Sequence, residues 1–221
     1  MKILAVIPAK RKSTRVKNKN LKKFYKSSLV EIAIKSATQS KFVTDVCVTS
    51  ESKKIEKFKK KYSFIFVKRP INLSNSSVMA DAAVIHAYKQ IKKKFDYIVM
   101  LQPTSPLRTS KDIDNAIKRI IYEKSDSLLS VFKSHGFIWK NKKKTFKPLN
   151  YNFLKRPNSQ SMSQFQENGA IYITKPKTYE KNKNRLGGKI SFYEMSFWKS
   201  FEIDSLDDFV KVEKLYSENT K

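Results

Sequence analysis

Apolar residues along the chain occur in short continuous runs that alternate with stretches of helical spacing. Runs such as residues 3–7 and 97–101 are typical of strands buried on both faces. Between them, apolar residues recur every three to four positions, as at residues 29–37, which indicates helices with one buried side. Because the two patterns alternate, the chain is predicted to form βαβ units around a largely parallel sheet.

The same pattern places the individual elements and one interruption. Strands are predicted at residues 3–7, 46–49, 64–67, 97–101, 127–132, 170–174 and 190–197. Helices are predicted at residues 29–37, 51–62 and 78–91, from Thr109 or Ser110 onward, and at 205–216. Residues 137–162 are basic and lack periodicity, so we interpret them as an insertion or arm at a subunit contact. The prediction is one α/β domain over residues 1–221 that carries this arm.

Length and composition exclude several classes of protein. The chain has 221 residues, of which 40% are apolar and 12% aromatic, which excludes a disordered polymer. No apolar run reaches the roughly 18 residues of a membrane span, and the first run, before Pro8, is shorter than a signal-peptide core. The single cysteine, Cys47, excludes an internal disulfide. We therefore expect a cytoplasmic protein with no membrane partner.

The net charge is strongly positive, since 47 basic and 19 acidic residues give +28. Such an excess suggests a polyanionic partner. However, 40 of the basic residues are lysine and only 7 are arginine, whose planar fork is favoured on phosphate-clamping surfaces. Lysines also occupy solvent-facing helix positions, as at residues 53–62. The composition thus favours solvated faces over a nucleic-acid partner, and polyanion binding is the alternative.

The loop after the first strand carries the densest positive charge. Residues 10–20, KRKSTRVKNKN, contain six cationic side chains with the hydroxyls of Ser13 and Thr14 among them. Ligands of open α/β sheets bind outside the carboxyl ends of parallel strands, where these cations would stabilise the charge of a nucleoside triphosphate. A solvated basic loop is the alternative interpretation. The loop has no glycine, so a glycine-cradled phosphate site is not expected.

Residues 101–114, LQPTSPLRTSKDID, come at the end of the strand predicted at residues 97–101, which we expect to be fully buried. Two prolines restrict the backbone, so the side chains of Gln102, Thr104 and Ser105 would be held in fixed positions. A helix cap at Thr109 or Ser110 accounts for the turn. It does not account for Gln102, an uncharged amide at the carboxyl end of a strand.

Two carboxylates lie close together near the end of the chain, in FEIDSLDDF at residues 201–209. If residues 201–204 are extended, Glu202 and Asp204 project to the same side and can share one Mg²⁺. The structural alternative is a helix start, because Ser205 and Asp208 form a capping box. That alternative does not explain Glu202.

Taken in order, these segments resemble the acylneuraminate cytidylyltransferases, also called CMP-sialic acid synthetases, nearly from end to end. The segments similar to family motifs are IPAKRKSTRVKNKN (7–20), TSES (49–52), RPINLS (69–74), LQPTSPLR (101–108), ENGAIYI (167–173) and FEIDSLDDF (201–209). Each motif is weak alone, but the order and spacing are shared. The resemblance extends to legionaminate- and pseudaminate-type members.

The resemblance implies a fold, a reaction and an assembly. The fold is a three-layer α/β/α Rossmann-like nucleotidyltransferase domain with a mainly parallel sheet, commonly a homodimer with a protruding arm. The reaction joins CTP to a nine-carbon 2-keto sugar acid (a nonulosonic acid) and releases pyrophosphate, with Mg²⁺ as cofactor. The alternatives are 3-deoxy-octulosonate with CTP, a GTP-dependent transferase, or a degenerate scaffold that binds polyanions.

Matching positions imply the site residues. Those implied to bind the nucleotide are Lys10, Ser13, Arg15, Lys19, Asn20, Arg69 and Gln102. Those implied for the sugar acid are Gln160, Asn168 and Phe192, and those for Mg²⁺ are Glu202 and Asp204. Lys19 and Asp204 are the implied catalytic residues.

The first loop departs from the family pattern. Lys10, Arg11 and Lys12 stand where the family has an arginine and two glycines. Lys10 keeps the charge without bidentate phosphate pairing, and the other two lose the close backbone approach that glycine permits. Arg15 is similar to the loop of the octulosonate and pseudaminate cytidylyltransferases. The sugar acid therefore stays open among sialic, legionaminic and pseudaminic acids.

Overall fold

The computed structural model describes residues 1–11, 15–75, 78–143 and 145–219. Its strands are β1 (Ile3–Pro8), β2 (Lys23–Phe24), β3 (Ser27–Ser28), β4 (Asp45–Ser50), β5 (Ile65–Lys68), β6 (Tyr97–Leu101), β7 (Ser127–Ser134), β8 (Trp139–Lys142), β9 (Thr145–Pro148), β10 (Gln164–Thr174) and β11 (Ile190–Glu194). Its helices are α1 (Leu29–Thr38), α2 (Lys53–Glu56), α3 (Ala80–Ile91), α4 (Ser110–Glu123), α5 (Pro176–Asn182) and α6 (Leu206–Asn219).

Within the described residues, one seven-stranded sheet has the order β11-β7-β10-β6-β1-β4-β5. β1 pairs in parallel with β4 and β6, and β4 with β5, so these four strands end at the same edge. β10 runs antiparallel to β6 and β7, and β11 is parallel to β7. The prediction of a mainly parallel α/β sheet is confirmed.

Both faces of the sheet are covered, as the continuous apolar runs require. On β1, Ile3, Ala5 and Ile7 face one cluster, which includes residues of α1 and α4. Leu4 and Val6 face the opposite cluster, which includes residues of α3 and α5. Alternate side chains of one strand therefore fill two cores, and the molecule has three layers, α/β/α, as predicted.

A third apolar cluster lies at the edge where the parallel strands end. It joins Phe24, Leu29, Leu107, Ile203 and Phe209, which come from three distant parts of the chain. Phe24 and Phe209 meet edge to face with ring centroids 5.3 Å apart. This cluster docks α6 against the segment that follows β1, and so brings residues 202–204 next to the first loop.

Most predicted elements form close to their predicted bounds, and the exceptions have physical reasons. The helix predicted at residues 51–62 is only the four-residue α2 followed by a 3-10 turn at Lys57–Lys60, because its lysine-rich sequence buries Ile55 alone. α5, with proline in its first turn, and the hairpin β8–β9 were not predicted. Both are short and largely polar, so the apolar pattern does not reveal them.

The region predicted as an arm, residues 137–162, contains a hairpin outside the central sheet. In it β8 and β9 pair antiparallel, with Trp139 opposite Pro148 and Lys140 opposite Lys147. An aromatic cluster supports the hairpin, since the Trp139 ring lies 6.0 Å from Tyr151 and 6.3 Å from Phe153. Its role at a subunit contact stays a prediction, as does the single-domain interpretation. None of the helices described here has the length and apolarity needed to cross a bilayer.

Candidate active site

The first loop is tied back onto the strand edge at both of its ends. The backbone N–H of Ala9 donates to the Thr49 carbonyl (3.0 Å), which continues the pairing of β1 with β4. The loop closes in a 3-10 turn at Lys19–Leu21, whose Lys19 and Asn20 are buried. The Asn20 side-chain amide donates to the Lys10 carbonyl (2.8 Å), and its Oδ1 is buried with no partner among the described residues. Asn20 thus fixes the loop through Nδ2, and its Oδ1 is available to accept a hydrogen bond.

Asp204 is the point at which the loop meets the C-terminal segment. Its carboxylate lies 3.3 Å from Arg15 Nη1 and 3.2 Å from Lys19 Nζ. Lys19 Nζ also donates to the Ile203 carbonyl, and the Ile203 N–H donates to the Thr104 carbonyl at 2.9 Å. Residues 203 and 204 are therefore held from two sides. The Asp204 side chain remains 54% exposed toward the cleft.

Glu202 is half-buried two residues before Asp204. The pKa of its carboxyl is raised to about 7, first by desolvation and then by the negative charge of Asp204, while Lys19 opposes the rise. The sequence predicted that the carboxylates of Glu202 and Asp204 lie on the same side of an extended segment, and both residues line one cleft. Ser205 and Asp208 also form the predicted capping box, with reciprocal hydrogen bonds of 3.1 and 2.8 Å.

Gln102 follows β6 and is fixed by β10. Its side-chain Nε2 donates to the Gly169 carbonyl at 3.1 Å. Arg108, which was not predicted as a site residue, donates from Nη1 to the carbonyls of Gln102 (3.1 Å) and Ala170 (2.8 Å). Arg108 is buried, and desolvation lowers its pKa to about 10. The place of Arg108 in the proline-restricted segment was its one sequence signal, and that place does not reveal its burial or its two carbonyl partners.

Arg69 follows β5 and forms the opposite wall of the same edge. Its Nη2 donates to the Thr49 carbonyl at 3.0 Å, and its Nε is buried with no partner among the described residues. Burial lowers the pKa of Arg69, and the charge of Glu51 partly offsets that effect. Arg69 is thus a desolvated cation, and desolvated cations bind anions more strongly than hydrated ones.

These segments enclose a cleft of about 380 Å³ at the carboxyl ends of β1, β5 and β6. The predicted site residues that line it are Lys10, Arg15, Lys19, Asn20, Arg69, Gln102, Glu202 and Asp204. The apolar part of the lining, to which Pro8, Val78 and Ala80 contribute, was not among the predicted site residues. None of the three carries a charge or a polar side-chain group that would mark it for a site.

Three of the predicted site residues that the structure describes are not part of this lining. A fourth predicted residue, Ser13, lies outside the described residues. Asn168 is buried on β10, where its Oδ1 accepts from Ser130 Oγ (2.6 Å) and its Nδ2 donates to Ser200 Oγ (3.0 Å). Phe192 lies on β11 with its ring centroid 4.7 Å from that of Phe165. Gln160 is exposed in a 3-10 turn of the arm. The roles of these residues stay predictions.

The cleft combines cations, two carboxylates and a fixed amide, which suits a polyphosphate bound with a divalent cation. Among the residues that the structure describes, no group of three or more His, Cys, Asp or Glu is placed to hold a metal. Glu202 and Asp204 form a pair of carboxylates in the cleft lining. Such a pair suits Mg²⁺, which takes one or two carboxylates and completes its octahedron with water and substrate phosphates.

An open α/β sheet with such a cleft at its carboxyl edge is the architecture of nucleotide-binding enzymes. Over residues 4–220 the chain matches the family model described as cytidylyltransferase, and it belongs to that family. The resemblance to cytidylyltransferases that the sequence predicted is therefore confirmed at the level of the family.

Individual relatives show which cytidylyltransferases and related proteins the chain is similar to. The chain is 30% identical over 217 residues to N-acylneuraminate cytidylyltransferase of Escherichia coli O18:K1:H7, covering 94% of this chain and 50% of that protein. It is 29% identical over 228 residues to post-translational flagellin modification protein B of Campylobacter coli, covering 98% and 95%. It is 31% identical over 125 residues to CMP-N,N'-diacetyllegionaminic acid synthase of Legionella pneumophila, covering 53% of each. The chain thus spans about half the length of several relatives that it matches.

Solved structures support the fold. A CMP:2-keto-3-deoxy-manno-octonic acid synthetase complexed with CTP superposes with a TM-score of 0.76 at 16% identity, covering 99% of this chain and all of that one. The 4-diphosphocytidyl-2C-methyl-D-erythritol synthase of Anaerococcus prevotii gives 0.70 at 11% identity, covering 98% and 96%. The Rossmann-like nucleotidyltransferase fold is confirmed.

Proposed function

We propose that this chain transfers CMP from CTP to the 2-hydroxyl of a nine-carbon 2-keto sugar acid and releases pyrophosphate. The observation that carries the proposal is the convergence of Arg15, Lys19, Gln102 and the carboxylate pair on one cleft at the carboxyl edge of the sheet. The names of the Escherichia coli and Legionella relatives, which refer to N-acylneuraminate and N,N'-diacetyllegionaminic acid, support the class of sugar acid. Since cells keep CTP in the cytoplasm, we propose that compartment as its place of action.

The triphosphate is proposed to lie against the first loop. Lys10, Arg15, Lys19 and Asn20 line this side of the cleft, and Ser13 is added by the resemblance alone. Lys19 has three N–H donors, of which Ile203 and Asp204 occupy two, so one remains for a phosphate oxygen. Arg69 and Gln102 are proposed to contact the nucleoside end.

The reaction is a displacement at the α-phosphorus. The sugar's 2-hydroxyl oxygen forms a bond to that phosphorus, and the bond from phosphorus to the oxygen bridging the α- and β-phosphates breaks. Pyrophosphate leaves with the electron pair, and the hydroxyl proton passes to water. Lys19 and Arg15 act by stabilising the negative charge that grows on the leaving group. Asp204 keeps both cations in place through its two ion pairs.

Glu202 and Asp204 are proposed to hold Mg²⁺. Burial and the negative charge of Asp204 raise the pKa of Glu202, and a divalent cation bound at the pair would offset both effects. When bound, the metal neutralises phosphate oxygens. Asp204 would share its oxygens between that cation and the ion pairs with Arg15 and Lys19.

The sugar acid is proposed to bind on the side of β10, β11 and the arm, through Gln160, Asn168 and Phe192. Phe192 and Phe165 offer an apolar surface there, with Phe192 41% exposed. Asn168 Oδ1 already accepts from Ser130 Oγ and from the Ala170 N–H, and Nδ2 gives one of its two hydrogens to Ser200, so the second hydrogen is the donor proposed for the ligand.

The arm is proposed to pack against a second copy of the chain in a homodimer. Its exposed large apolar side chains are Ile138, Trp139, Phe146, Leu149, Phe153 and Leu154. Several exposed apolar side chains within one short segment are characteristic of a protein contact. A homodimer would cover it without requiring a different partner.

Pyrophosphate release tests the proposal. Purified protein is mixed with CTP and Mg²⁺ and with N-acetylneuraminic, legionaminic, pseudaminic or 3-deoxy-octulosonic acid in turn, with ATP, GTP and UTP as nucleotide controls. We expect release with CTP and one nine-carbon acid. Release with the octulosonic acid alone would contradict the sugar assignment, and release with GTP alone the nucleotide assignment.

A further inference from the structure

Gly169 lies at an irregularity in β10, where the register with β7 shifts between Glu167 and Tyr172. Its φ of +66° is in the left-handed region that favours glycine. The turn is held locally, because Asn168 Oδ1 accepts from the Ala170 N–H at 3.2 Å. The chain thus makes a bulge at this point, and bulges are common beside active sites.

The missing side chain of Gly169 leaves space that Glu202 fills. A Cβ at residue 169 would stand 2.5 Å from Glu202 Cδ and closer still to Oε1. The backbone around Glu202 has little freedom to retreat, since Ile203 is bonded to both Thr104 and Lys19. A methyl group at residue 169 would therefore push the carboxyl out of its place in the cleft.

The backbone of Gly169 also fixes the amide on the other side of the cleft. Its carbonyl can only accept a hydrogen bond, so the Gln102 group that faces it must be the nitrogen. The Gln102 oxygen is then left as an acceptor. Arg108 donates to the Ala170 carbonyl, which follows that of Gly169, and to the Gln102 carbonyl. These two hydrogen bonds link the bulge to the end of β6.

We infer that Gly169 is a positioning residue, which admits the Glu202 carboxyl to the cleft and sets the orientation of the Gln102 amide. This inference rests on the function proposed for Glu202 and deepens it, because one bulge then connects the metal-binding and nucleotide-binding parts of the site. A side chain at residue 169 disturbs both parts without touching a substrate.

The test compares two glycines of equal backbone strain. Gly188 also has a positive φ (+63°), and a Cβ there would stand 2.8 Å from Asp126 Cγ, so Gly188→Ala creates a similar backbone strain and a milder clash with a carboxylate. Neither Gly188 nor Asp126 lines the cleft. Two quantities are measured, the denaturant midpoint and the Mn²⁺ affinity with CTP present. The variants are Gly169→Ala, Gly188→Ala, Glu202→Ala and the double variant Gly169→Ala/Glu202→Ala.

Both glycine variants are expected to lower the midpoint, and only Gly169→Ala to weaken Mn²⁺ binding, by about tenfold or more. The double variant should recover part of the midpoint lost in Gly169→Ala, because removing the Glu202 carboxyl makes room for the methyl group. If Gly169→Ala does not fold alone, the double variant should still fold.

Mn²⁺ affinity within twofold of wild type in Gly169→Ala would overturn the inference, as would stability losses that simply add in the double variant. If the wild-type protein binds no Mn²⁺, the metal assignment of the proposed function fails. The stability comparison then tests by itself whether Gly169 makes room for the Glu202 carboxyl, since it needs neither metal nor turnover.

Discussion

The two ends of the candidate site are built differently. The nucleotide end is held by bonds between distant parts of the chain, such as Lys19 to Asp204 and Arg108 to Ala170. The proposed sugar end is formed by β11 and the arm, whose Phe192 and Trp139 are 41% and 48% exposed. The proposed nucleotide end is thus held together within one chain, whereas the proposed sugar end has exposed apolar rings, which a second copy of the chain would cover in the proposed homodimer.

The largest expected effect is at the nucleotide end, with Lys19→Ala. Losing this ammonium removes charge stabilisation from the leaving pyrophosphate and frees Asp204, so kcat should fall by about 10²–10³-fold. Steady-state pyrophosphate release measures it, with circular dichroism to confirm the fold. Lys17→Ala is the matched control, because Lys17 is exposed in the same loop and should change kcat by less than about twofold. Near-normal turnover in Lys19→Ala would remove the proposed role of Lys19.

The second effect is a pH dependence that only the nucleotide end should show. The folded-state pKa of Glu202 is raised to about 7 from 4.5, so the folded protein binds a proton that the unfolded chain releases. The contribution of this group to the unfolding free energy is therefore fully present below about pH 4.5 and is lost as the pH rises through 7. The loss is at most about 3 kcal/mol. Denaturant unfolding from pH 5 to 8 in EDTA measures the loss.

Glu202→Gln is the control for that measurement, since it keeps the shape and cannot ionise. Its unfolding free energy should change less between pH 5 and 8 than that of the wild type. Parallel profiles for the two proteins would show that the carboxyl is not desolvated as described. Adding Mg²⁺ should flatten the wild-type profile, because the cation stabilises the ionised form.

The third effect concerns the rigidity of the nucleotide end. Arg108→Met leaves the carbonyls of Gln102 and Ala170 without their donor, so the unfolding free energy should fall by about 1–3 kcal/mol and CTP binding should weaken. Arg119→Met is the comparison, because Arg119 forms only a surface pair with Glu123 and should cost less than about 1 kcal/mol. Equal losses in the two variants would count against a special role of Arg108.

The smallest effect is expected at the sugar end. Trp139→Ala removes an exposed ring of the arm, and should weaken self-association and raise the KM for the sugar acid by up to about tenfold, while CTP affinity stays unchanged. Light scattering and steady-state kinetics measure the two quantities. Lys140→Ala, next to it on the hairpin but on the opposite face, should leave both near wild type. A change in CTP affinity with Trp139→Ala would mean that the two ends are not independent.

The sequence predicted what depends on local pattern. The strand at residues 97–101 forms with the predicted bounds, and Thr109 caps α4 through the Asp112 N–H at 3.3 Å. Glu202 and Asp204 both line the cleft, as expected for an extended segment. The contacts between distant segments came only from the family resemblance, which placed the first loop and residues 202–204 in one site.

What the sequence could not show depends on three-dimensional surroundings. Arg108 reads as one more surface cation in a chain of net charge +28, and only the fold shows that it is buried between two carbonyls. Asn168 and Gly169 form an Asn-Gly pair, which is a local turn signal, but nothing local shows that a side chain at residue 169 would clash with Glu202, 33 positions later. The hairpin β8–β9 is mostly polar and pairs outside the main sheet, so apolar spacing does not mark it.

Phosphorus NMR of a mixture of the protein, CTP, Mg²⁺ and the sugar acid tests the central claim most directly, since it shows which phosphorus bond is broken. We predict one new phosphodiester resonance that grows in step with pyrophosphate, as CMP transfer through the α-phosphorus requires. Inorganic phosphate with CDP, or unchanged CTP with folded protein and every acid of the panel, would contradict the assignment of this cleft to cytidylyl transfer.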